Sequence, residues 1–454
     1  MKPSIQFDGG TLIVQQVPPN FLPDSFVFDD RIRAFRGPAI AYHALILSLH
    51  RAQFTIDDQA RDYIELVRPH KSSRTPRPYQ KEAVNAWWDQ GRRGVIVLPT
   101  GAGKSFVAEL AIARADRSAL ILAPTIDLVS QWHDNLLAAF GGPIGVLGGG
   151  VHQLEAITVS TYDSAHIHMH RYGAKFGLVI FDECHHLPGP AYASAAECCL
   201  APFRLGLTAT PERPDLEETR LDWLIGPISY RLEITDLAGD FLADYQTITM
   251  RIHLTQEEMT QWTAARETYR SFVQIRGISV GRPGGWQRFL QAAAGSTDGR
   301  AAHRAWLESR RILHETPAKL SALEGLLRKH KESSVIIFTN DNATVYRISK
   351  ALLIPAITHH TDIKERKSIL DGLKSGALRT VVTSRVLNEG VDIPGANVAI
   401  VLSGTGTVRE HVQRLGRILR PAEGKFATLY ELIVADTTEE FTSQRRRDHI
   451  AYNR

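Results

Sequence analysis

The chain has 454 residues, enough for about three domains of ordinary size. Hydrophobic residues make up 43% and charged residues 22%, which is typical of globular proteins and excludes wholesale disorder. The formal net charge of +4 permits a nucleic-acid partner without indicating one. The three cysteines, Cys184, Cys198 and Cys199, form no CxxC pair and no four-ligand set. This excludes a structural zinc site and a four-cysteine iron–sulfur cluster.

The sequence contains no apolar stretch of membrane-spanning length, and its first residues contain no apolar signal core. Few cysteines in a long chain favour a reducing compartment. We therefore expect a cytoplasmic protein that has no membrane partner.

The first 75 residues carry no chemical motif. Short alternating segments at 11–14 and 26–28 predict strands, and the apolar segment 39–50 predicts a helix. The polar, proline-containing segment 70–76 indicates a linker. We therefore predict a separate N-terminal α+β domain at 1–75.

From residue 77 onwards, short apolar runs alternate with helical or loop segments. Runs without polar alternation are typical of strands buried on both faces of a parallel sheet. They occur at residues 95–98, 119–123, 157–159, 178–181 and 205–207, and again at 335–338, 380–382, 398–402 and 428–432. We predict two α/β domains, at 76–236 and 237–454, and a helical insertion at about 255–315 in the second.

A phosphate-binding loop follows the first predicted strand and opens a helix at Phe106. Its glycines let backbone N–H groups point at phosphates, Lys104 reaches the β- and γ-phosphates, and Ser105 can bind Mg²⁺. The strict pattern has glycine where this chain has Leu98. The predicted ligand-binding residues are Thr100, Gly101, Ala102, Gly103, Lys104 and Ser105.

An acidic pair, Asp182 and Glu183, follows the predicted strand at 178–181. In NTPases with such a loop, this position holds Mg²⁺. We expect Asp182 to bind the metal and Glu183 to orient or deprotonate the attacking water. A zinc site from Cys184, His185 and His186 is the alternative interpretation, although three adjacent residues converge on one ion with difficulty.

These motifs, together with others in the same order along the chain, resemble those of superfamily 2 helicases. The segments that carry the resemblance are 77–80, 99–105, 123–125 with 131–132, 158–163, 182–186, 207–211, 336–339, 387–394 and 413–420. Segments 181–188, 201–211, 345–358 and 413–421 are similar to the archaeal form of the XPB helicases. The resemblance covers about residues 77–440. The first 75 residues match that family's damage-recognition domain in size and position only.

The resemblance implies two tandem RecA-like domains, an N-terminal α+β domain and a thumb-like helical insertion. It also implies ATP and Mg²⁺ as cofactors. Arg77 and Gln80 would contact adenine. From the second domain, Gly390 and Asp392 would close on the nucleotide, Gln413 would place the water, and Arg417 and Arg420 would stabilise charge on the γ-phosphoryl group.

The same resemblance implies that three residues, His185, Thr208 and Thr210, couple hydrolysis to strand binding. It implies DNA contacts at Thr125, Thr161, Thr383, Arg213 and Asp215. Strand packing and turn capping are alternative interpretations of the threonines. Arg213, Pro214 and Asp215 stand where the family has an Arg-Glu-Asp element linked to duplex opening, so the middle carboxylate is missing.

The insertion at 255–315 contains nine arginines, no lysine and six acidic residues, and a second basic cluster lies at 445–447. Arginine suits bidentate phosphate contact, so we expect this insertion to grip DNA. Its aromatic residues Trp262, Tyr269 and Phe272 fit a core stripe better than a surface for stacking bases.

The resemblance therefore predicts an ATP-dependent 3′-to-5′ DNA helicase or translocase in DNA repair, with transcription as a second process. It also implies a nuclease partner and, in a prokaryote, a nucleoid association. Three alternatives remain open at this point. The chain could move on double-stranded DNA without unwinding it, act on RNA, or serve as an ATP-gated module that recognises damaged DNA and recruits a nuclease.

Overall fold

The computed structural model describes residues 2–210, 218–237, 241–282, 284–384, 396–402 and 426–447. The chain forms two compact units, Met1–Leu237 and Ala238–Arg454. Within the described ranges, no helix has the length and apolarity needed to cross a bilayer.

A five-stranded sheet with one helix forms the N-terminal domain. Strand order is β3-β4-β2-β1-β5, antiparallel except where β1 pairs with β5. Its buried core includes Leu12 and Leu45, together with Ala174 and Leu200 from later in the chain, so this domain packs on the α/β domain that follows. The elements are β1 (Ser4–Asp8), β2 (Thr11–Gln15), β3 (Val27–Asp29), β4 (Ala34–Pro38), α1 (Tyr42–Arg51) and β5 (Asp57–Asp58).

The first α/β domain is built on an eight-stranded sheet of order β13-β6-β12-β11-β7-β10-β8-β9. Its strands are parallel except for β9, and β7, β10, β11 and β12 are buried along their whole length. The elements are α2 (Pro78–Asp89), β6 (Arg93–Val97), α3 (Lys104–Ala115), β7 (Ala119–Ala123), α4 (Ile126–Phe140), β8 (Gly145–Gly148), β9 (Val151–Gln153), β10 (Ile157–Thr161), α5 (Tyr162–Tyr172), β11 (Leu178–Asp182), α6 (Pro190–Glu197), β12 (Phe203–Thr208), α7 (Glu218–Leu224), β13 (Ile228–Arg231) and α8 (Ile234–Leu237).

Residues 70–76 form no helix or strand, but they do not behave as a free linker. Nη2 of Arg74 lies 2.6 Å from each carboxylate oxygen of Glu109, which is fully buried on α3. The Arg74 guanidinium also lies 4.3 Å from the ring centroid of Phe106. The segment is therefore fastened to the helix that begins at the phosphate loop.

The second α/β domain has six parallel strands in the order β14-β19-β18-β15-β17-β16. Its core includes Leu323, Val335, Ile400 and Leu432. The elements are β14 (Asp244–Ile252), α9 (Gln256–Ile275), α10 (Gly285–Ala294), α11 (Thr297–Glu315), α12 (Pro317–Lys329), β15 (Val335–Phe338), α13 (Asn342–Leu352), β16 (Ala356–Ile357), α14 (Ile363–Ser375), β17 (Thr380–Thr383), β18 (Val398–Val401), β19 (Phe426–Val434) and α15 (Thr438–Arg447).

Helices α9, α10 and α11 form the inserted segment. Tyr269 and Phe272 are buried there, with ring centroids 5.3 Å and 6.3 Å from that of Phe289. These two aromatics are core residues, as the interpretation of a core stripe predicts. Trp262 is partly exposed on α9.

Candidate active site

The carboxyl ends of three neighbouring strands bring the predicted phosphate, acidic and coupling motifs to one edge of the first parallel sheet. Strand β12 lies between β6 and β11, with Thr208 opposite Val97 and Asp182 opposite Leu207. The phosphate loop follows β6 directly. The phosphate loop and the acidic pair are therefore neighbours, although Ser105 and Asp182 are 77 positions apart in the sequence.

The loop at 99–105 has a backbone that fits a phosphate chain. Gly101 and Gly103 have φ of +89° and +83°, a region that residues with a Cβ rarely adopt. A Cβ on Gly103 would lie 2.6 Å from Nε2 of Gln80. The hydroxyl of Thr100 is buried and has no hydrogen-bond partner within the described part of the chain. The loop thus offers a close backbone approach and an unused hydroxyl to a bound anion.

The loop is braced from α2 by Gln80 and Tyr79. Gln80 accepts a hydrogen bond from the backbone N–H of Arg77 (3.0 Å), and its Nε2 donates to the carbonyl oxygen of Ala102 (3.0 Å). The hydroxyl of Tyr79 donates to the same carbonyl oxygen (2.8 Å). Gln80 is 4% exposed, so it supports the phosphate loop from the interior of the protein.

Lys104 and the acidic pair are in direct reach of one another. Nζ of Lys104 lies 3.6 Å from Oε1 of Glu183 and 3.4 Å from the carbonyl oxygen of Leu98. Burial, followed by the charge of Glu183, raises the pKa of Asp182 to about 6. Such a crowded pair of carboxylates is stabilised by added positive charge, so these residues fit a divalent cation beside a polyphosphate.

Two buried aromatic residues fix the position of Asp182. Nε1 of Trp132 on α4 donates a hydrogen bond to Oδ2 of Asp182 (2.8 Å). The hydroxyl of Tyr162, the first residue of α5, donates to the backbone carbonyl oxygen of Asp182 (2.9 Å). Trp132 and Tyr162 fall within segments 131–132 and 158–163 of the helicase resemblance, but the sequence assigned neither of them a role. The available signal was chemical, because a buried indole or phenol needs a hydrogen-bond acceptor.

A buried polar chain connects the acidic pair to the end of β12. Nδ1 of His185 lies 3.5 Å from Oε2 of Glu183 and 3.1 Å from the hydroxyl oxygen of Thr208. That hydroxyl also contacts the carbonyl oxygen (3.1 Å) and backbone nitrogen (3.2 Å) of Thr210. The three predicted coupling residues therefore lie in one network with Glu183.

The zinc alternative at residues 184–186 does not fit. Cys184 is fully buried in the hydrophobic core of the domain, and His185 points to Thr208. In the described ranges, no three His, Cys, Asp or Glu side chains are arranged to hold a metal ion. Cys199 is buried and Cys198 half-buried, and both lie just after the end of α6.

The three described threonines that were predicted to contact DNA all have protein partners. Thr125 and Thr161 cap α4 and α5, accepting hydrogen bonds from the backbone N–H groups of Leu128 (3.3 Å) and Ser164 (3.1 Å). Thr383 is fully buried and donates to the carbonyl oxygen of Ile357 (2.9 Å). Of the three, Thr125 alone is exposed.

The fold and this site invite comparison with known proteins. The chain is 38% identical over 421 residues to a protein of Sulfurisphaera tokodaii named DNA 3'-5' translocase XPB2, covering 93% of this chain and 95% of that one. The chain belongs to the XPB family. A Mycobacterium tuberculosis relative named DNA 3'-5' helicase XPB is 29% identical, with 83% of this chain matching 64% of that longer protein.

Family models match three stretches of this XPB-family chain. Residues 5–60 match the xeroderma pigmentosum group B helicase damage recognition domain, and residues 303–453 match the ERCC3/RAD25/XPB C-terminal helicase. Residues 73–213 match the type III restriction enzyme res subunit. The helicase domain of Pyrococcus furiosus Hef shares the fold, with a TM-score of 0.53 at 19% identity over 82% of this chain and 98% of that one.

The RecA-like fold and the XPB resemblance predicted from sequence are confirmed by these comparisons. Several predicted site residues lie outside the described residues and stay predictions. They are Arg213, Asp215, Gly390, Asp392, Gln413, Arg417 and Arg420.

Proposed function

We propose that this XPB-family chain is an ATP-dependent DNA translocase and helicase that moves with 3′-to-5′ polarity. The observation that carries the proposal is one unbroken set of contacts from Lys104 through Glu183 and His185 to Thr208. Lys104, which would contact the terminal phosphate, is thereby linked to the carboxyl end of β12. The residues proposed to bind the DNA strand follow this end of β12 in the chain.

In this proposal, Lys104 binds the β- and γ-phosphates and the backbone of Gly101 to Gly103 cradles them. Ser105 and Asp182 would hold Mg²⁺, which would neutralise charge on the phosphates. Glu183, held near Lys104 and His185, orients or deprotonates the attacking water.

Other roles come from family membership alone. Arg77 and Gln80 would read adenine, and Gly390, Asp392, Gln413, Arg417 and Arg420 would complete the nucleotide site from the second domain. Because Gln80 already bonds Arg77 and Ala102, we expect its amide to position the loop as well as the base.

ATP turnover by the full chain, measured with matched DNA and RNA strands, tests this proposal. We expect stimulation by DNA and little by RNA, and loss of turnover in Lys104→Ala with DNA binding largely retained. Lys374→Ala, which removes an exposed lysine from α14, serves as the control. Stimulation by RNA alone would favour the RNA-helicase alternative, and persisting turnover in Lys104→Ala would overturn the site assignment.

A second candidate is a motor that moves along duplex DNA without net unwinding. Pro214 replaces the middle carboxylate of the family's Arg-Glu-Asp element, and proline also lacks a backbone donor. The Sulfurisphaera tokodaii relative is itself named a translocase. Displacement of a triplex strand without displacement of a duplex strand would establish this candidate and exclude the helicase activity.

We further propose that the chain acts in DNA repair, since residues 5–60 match a damage recognition domain. A nuclease partner is proposed from the family resemblance alone. Deleting residues 1–75 is a poor test, because Ala174 and Leu200 would lose the core that covers them. A better test compares the affinity of the full chain for bubbled, lesion-bearing and intact duplexes. Equal affinity for all three would argue against a recognition role.

A further inference from the structure

A row of alternating arginine and aromatic side chains crosses the surface of the first unit. The Arg117 guanidinium carbon lies 4.1 Å from the ring centroid of Phe203 and 5.4 Å from that of Tyr63. The Arg92 guanidinium carbon lies 5.4 Å from the same Phe203 centroid. We call this row the arginine ladder; its members are Tyr63, Arg117, Phe203, Arg92, Trp88 and Arg114.

The ladder continues over Trp88. The guanidinium carbons of Arg92 and Arg114 lie 4.4 Å and 4.5 Å from the Trp88 centroid, and the Trp88 and Phe203 centroids are 6.0 Å apart. A guanidinium stacked on a ring is held in place while its N–H edges stay available. The ladder therefore presents three fixed cations in sequence.

The ladder lies at the edge of the sheet opposite to the candidate active site. Arg92 and Arg117 precede β6 and β7, and Phe203 begins β12, so all three stand at amino ends of parallel strands. The phosphate loop and Asp182 stand at carboxyl ends. Tyr63 follows the N-terminal sheet, so the ladder joins that domain to the first RecA-like domain.

The ladder arginines form no ion pair within the part of the chain that the structure describes, since no carboxylate there lies within ion-pair distance of Arg92, Arg114 or Arg117. Two exposed acidic residues are still close in the chain fold, because Asp116 precedes Arg117 and Glu65 pairs with Arg117 through the backbone. One N–H of Arg114 donates to the side-chain amide oxygen of Asn85 (2.6 Å), but Arg114 is exposed and Arg92 and Arg117 are partly exposed. Nε of Arg92 is buried, so an external anion would meet the outer N–H groups of these guanidiniums.

More positive charge lies beneath the ladder. Arg204 is fully buried and donates to the carbonyl oxygens of Ala196, Ala201 and Leu224, and to that of Cys199. Burial lowers the pKa of Arg204 to about 10. Burial and the neighbouring Arg204 also lower the pKa of Arg93 to about 9, so both remain charged at neutral pH.

We propose that the arginine ladder binds the phosphate backbone of duplex DNA, at a surface separate from the helicase motifs that are predicted to contact DNA. The proposal rests on the proposed function, because it takes DNA as the chain's polymer. A row of guanidinium groups matches repeated phosphates, which arginine binds in a bidentate manner. An acidic protein partner fits less well, because the carboxylates of a protein surface do not repeat at the regular spacing of duplex phosphates.

Such a contact would differ in kind from those made at the strand-binding motifs. All six ladder residues belong to one compact unit, so nucleotide binding is not needed to assemble the surface. Phosphate contacts carry no sequence information. The ladder would therefore retain duplex DNA of any sequence throughout the ATPase cycle.

The test measures binding of the full chain to a blunt 30-base-pair duplex, without nucleotide, across a salt series. The slope of log affinity against log salt is negative, and each lost phosphate contact makes it less steep by about 0.9. The double variant Arg92→Gln with Arg117→Gln should therefore reduce the magnitude of the slope by about 2 and weaken duplex binding about tenfold at low salt. Arg328→Gln with Arg379→Gln removes the same charge from exposed sites of the second unit and should change neither.

A second variant guards against misfolding of the first. Asp116 is exposed beside Arg117 and has φ of +50°, which asparagine tolerates. Asp116→Asn removes a negative charge without removing a ladder residue, and should strengthen duplex binding about twofold to threefold. If Asp116→Asn and the double variant both bind duplex DNA as the control does, the proposal is wrong.

Failure of this inference is distinguishable from failure of the proposed function. A wild-type chain whose ATP turnover no DNA stimulates would refute the proposed function. DNA-stimulated turnover together with unchanged duplex binding in the ladder variants would refute the ladder alone. Loss of binding to a polyglutamate peptide with unchanged duplex affinity would assign the surface to an acidic protein and overturn the DNA proposal.

Discussion

The indole nitrogen of Trp132 donates a 2.8 Å hydrogen bond to the carboxylate of Asp182 across the edge of the first parallel sheet. Trp132 belongs to α4, the helix capped by Thr125, whereas Asp182 ends β11. The bond lowers the pKa of Asp182 against the effects of its burial and of Glu183. A candidate metal ligand is thus oriented by the helix that begins at a candidate DNA contact.

We expect Trp132→Phe to weaken Mg²⁺ binding, because the orienting donor is lost while most of the ring volume remains. The Mg²⁺ concentration for half-maximal ATP turnover should rise about tenfold or more. Trp87→Phe is a matched control, since the Trp87 indole donates a 2.8 Å bond to the carbonyl oxygen of Arg204 and is equally buried. An equal Mg²⁺ requirement in both variants would contradict the orienting role of Trp132.

We expect Thr208→Val to separate hydrolysis from movement. Valine keeps the shape of the side chain but removes the hydroxyl that contacts His185 and Thr210. ATP turnover should persist within about tenfold, whereas the number of base pairs displaced per ATP should fall several-fold more. Thr158→Val is the control, because the Thr158 hydroxyl is also buried but donates to the carbonyl oxygen of Glu155. Equal losses of both activities would show a merely structural role.

The ion pair between Arg74 and Glu109 should respond unequally to loss of either partner. Arg74→Ala leaves the buried carboxylate with His70 alone, whose Nε2 lies 3.7 Å away. Because the Arg74 side chain is 55% exposed, we expect the free energy of unfolding to fall by about 2–3 kcal/mol, less than for a fully buried pair. Glu109→Gln removes the buried charge and keeps an acceptor, so a loss of about 1–2 kcal/mol is expected. Urea unfolding of both variants measures the difference. Equal losses of unfolding free energy in the two variants would contradict the explanation that the unpaired buried charge causes the larger loss.

Asp341 should make stability depend on pH in the acid range. It caps α13 through the backbone N–H of Thr344 (2.8 Å) and lies 3.4 Å from His314. Burial alone would raise the pKa of Asp341, but bonds from His314 and Thr344 lower it to about 2. Because the unfolded chain then binds the proton more readily, this contribution is present above about pH 4 and is lost as pH falls towards 2.

Asp341→Asn keeps the cap and removes the charge, so its urea midpoint should fall less than that of the wild type between pH 4.5 and pH 2.5. After allowance for the solvent exposure of the carboxylate, the difference should be about 1 kcal/mol. Asp371→Asn, at an exposed position on α14, is the control. Parallel pH profiles for the wild type and Asp341→Asn would contradict the assignment.

The strands were predictable where burial on both faces leaves an apolar run. Residues 119–123 and 335–338 were predicted, and the strands are Ala119–Ala123 and Val335–Phe338. Strand β14 was missed, because it forms one edge of its sheet and most of its residues stay partly exposed. Its sequence therefore alternates with polar residues and contains no apolar run.

The site was predictable where a motif is contiguous. The order of Lys104 and Ser105 after the glycines, and of Asp182 and Glu183 after a buried strand, identifies the phosphate and acidic motifs from sequence alone. The supporting contacts were not predictable. Trp132 reaches Asp182 across 50 residues of sequence, and Arg74 reaches Glu109 across 35. No spacing rule connects such pairs before the sheet brings them together.

Strand β14 also imposes an order on the folding of the second unit. It lies early in that unit and pairs in parallel with β19, so Gln246 meets Thr428 182 residues later in the chain. At a synthesis rate of about 5–20 residues per second, β14 waits about 9–36 s for its partner to be made. The first unit and the local helices α9 to α11 can form meanwhile. A newly made chain would thus expose the unpaired edge of β14 for most of that interval. Such an edge can pair with the wrong strand or be bound by a chaperone.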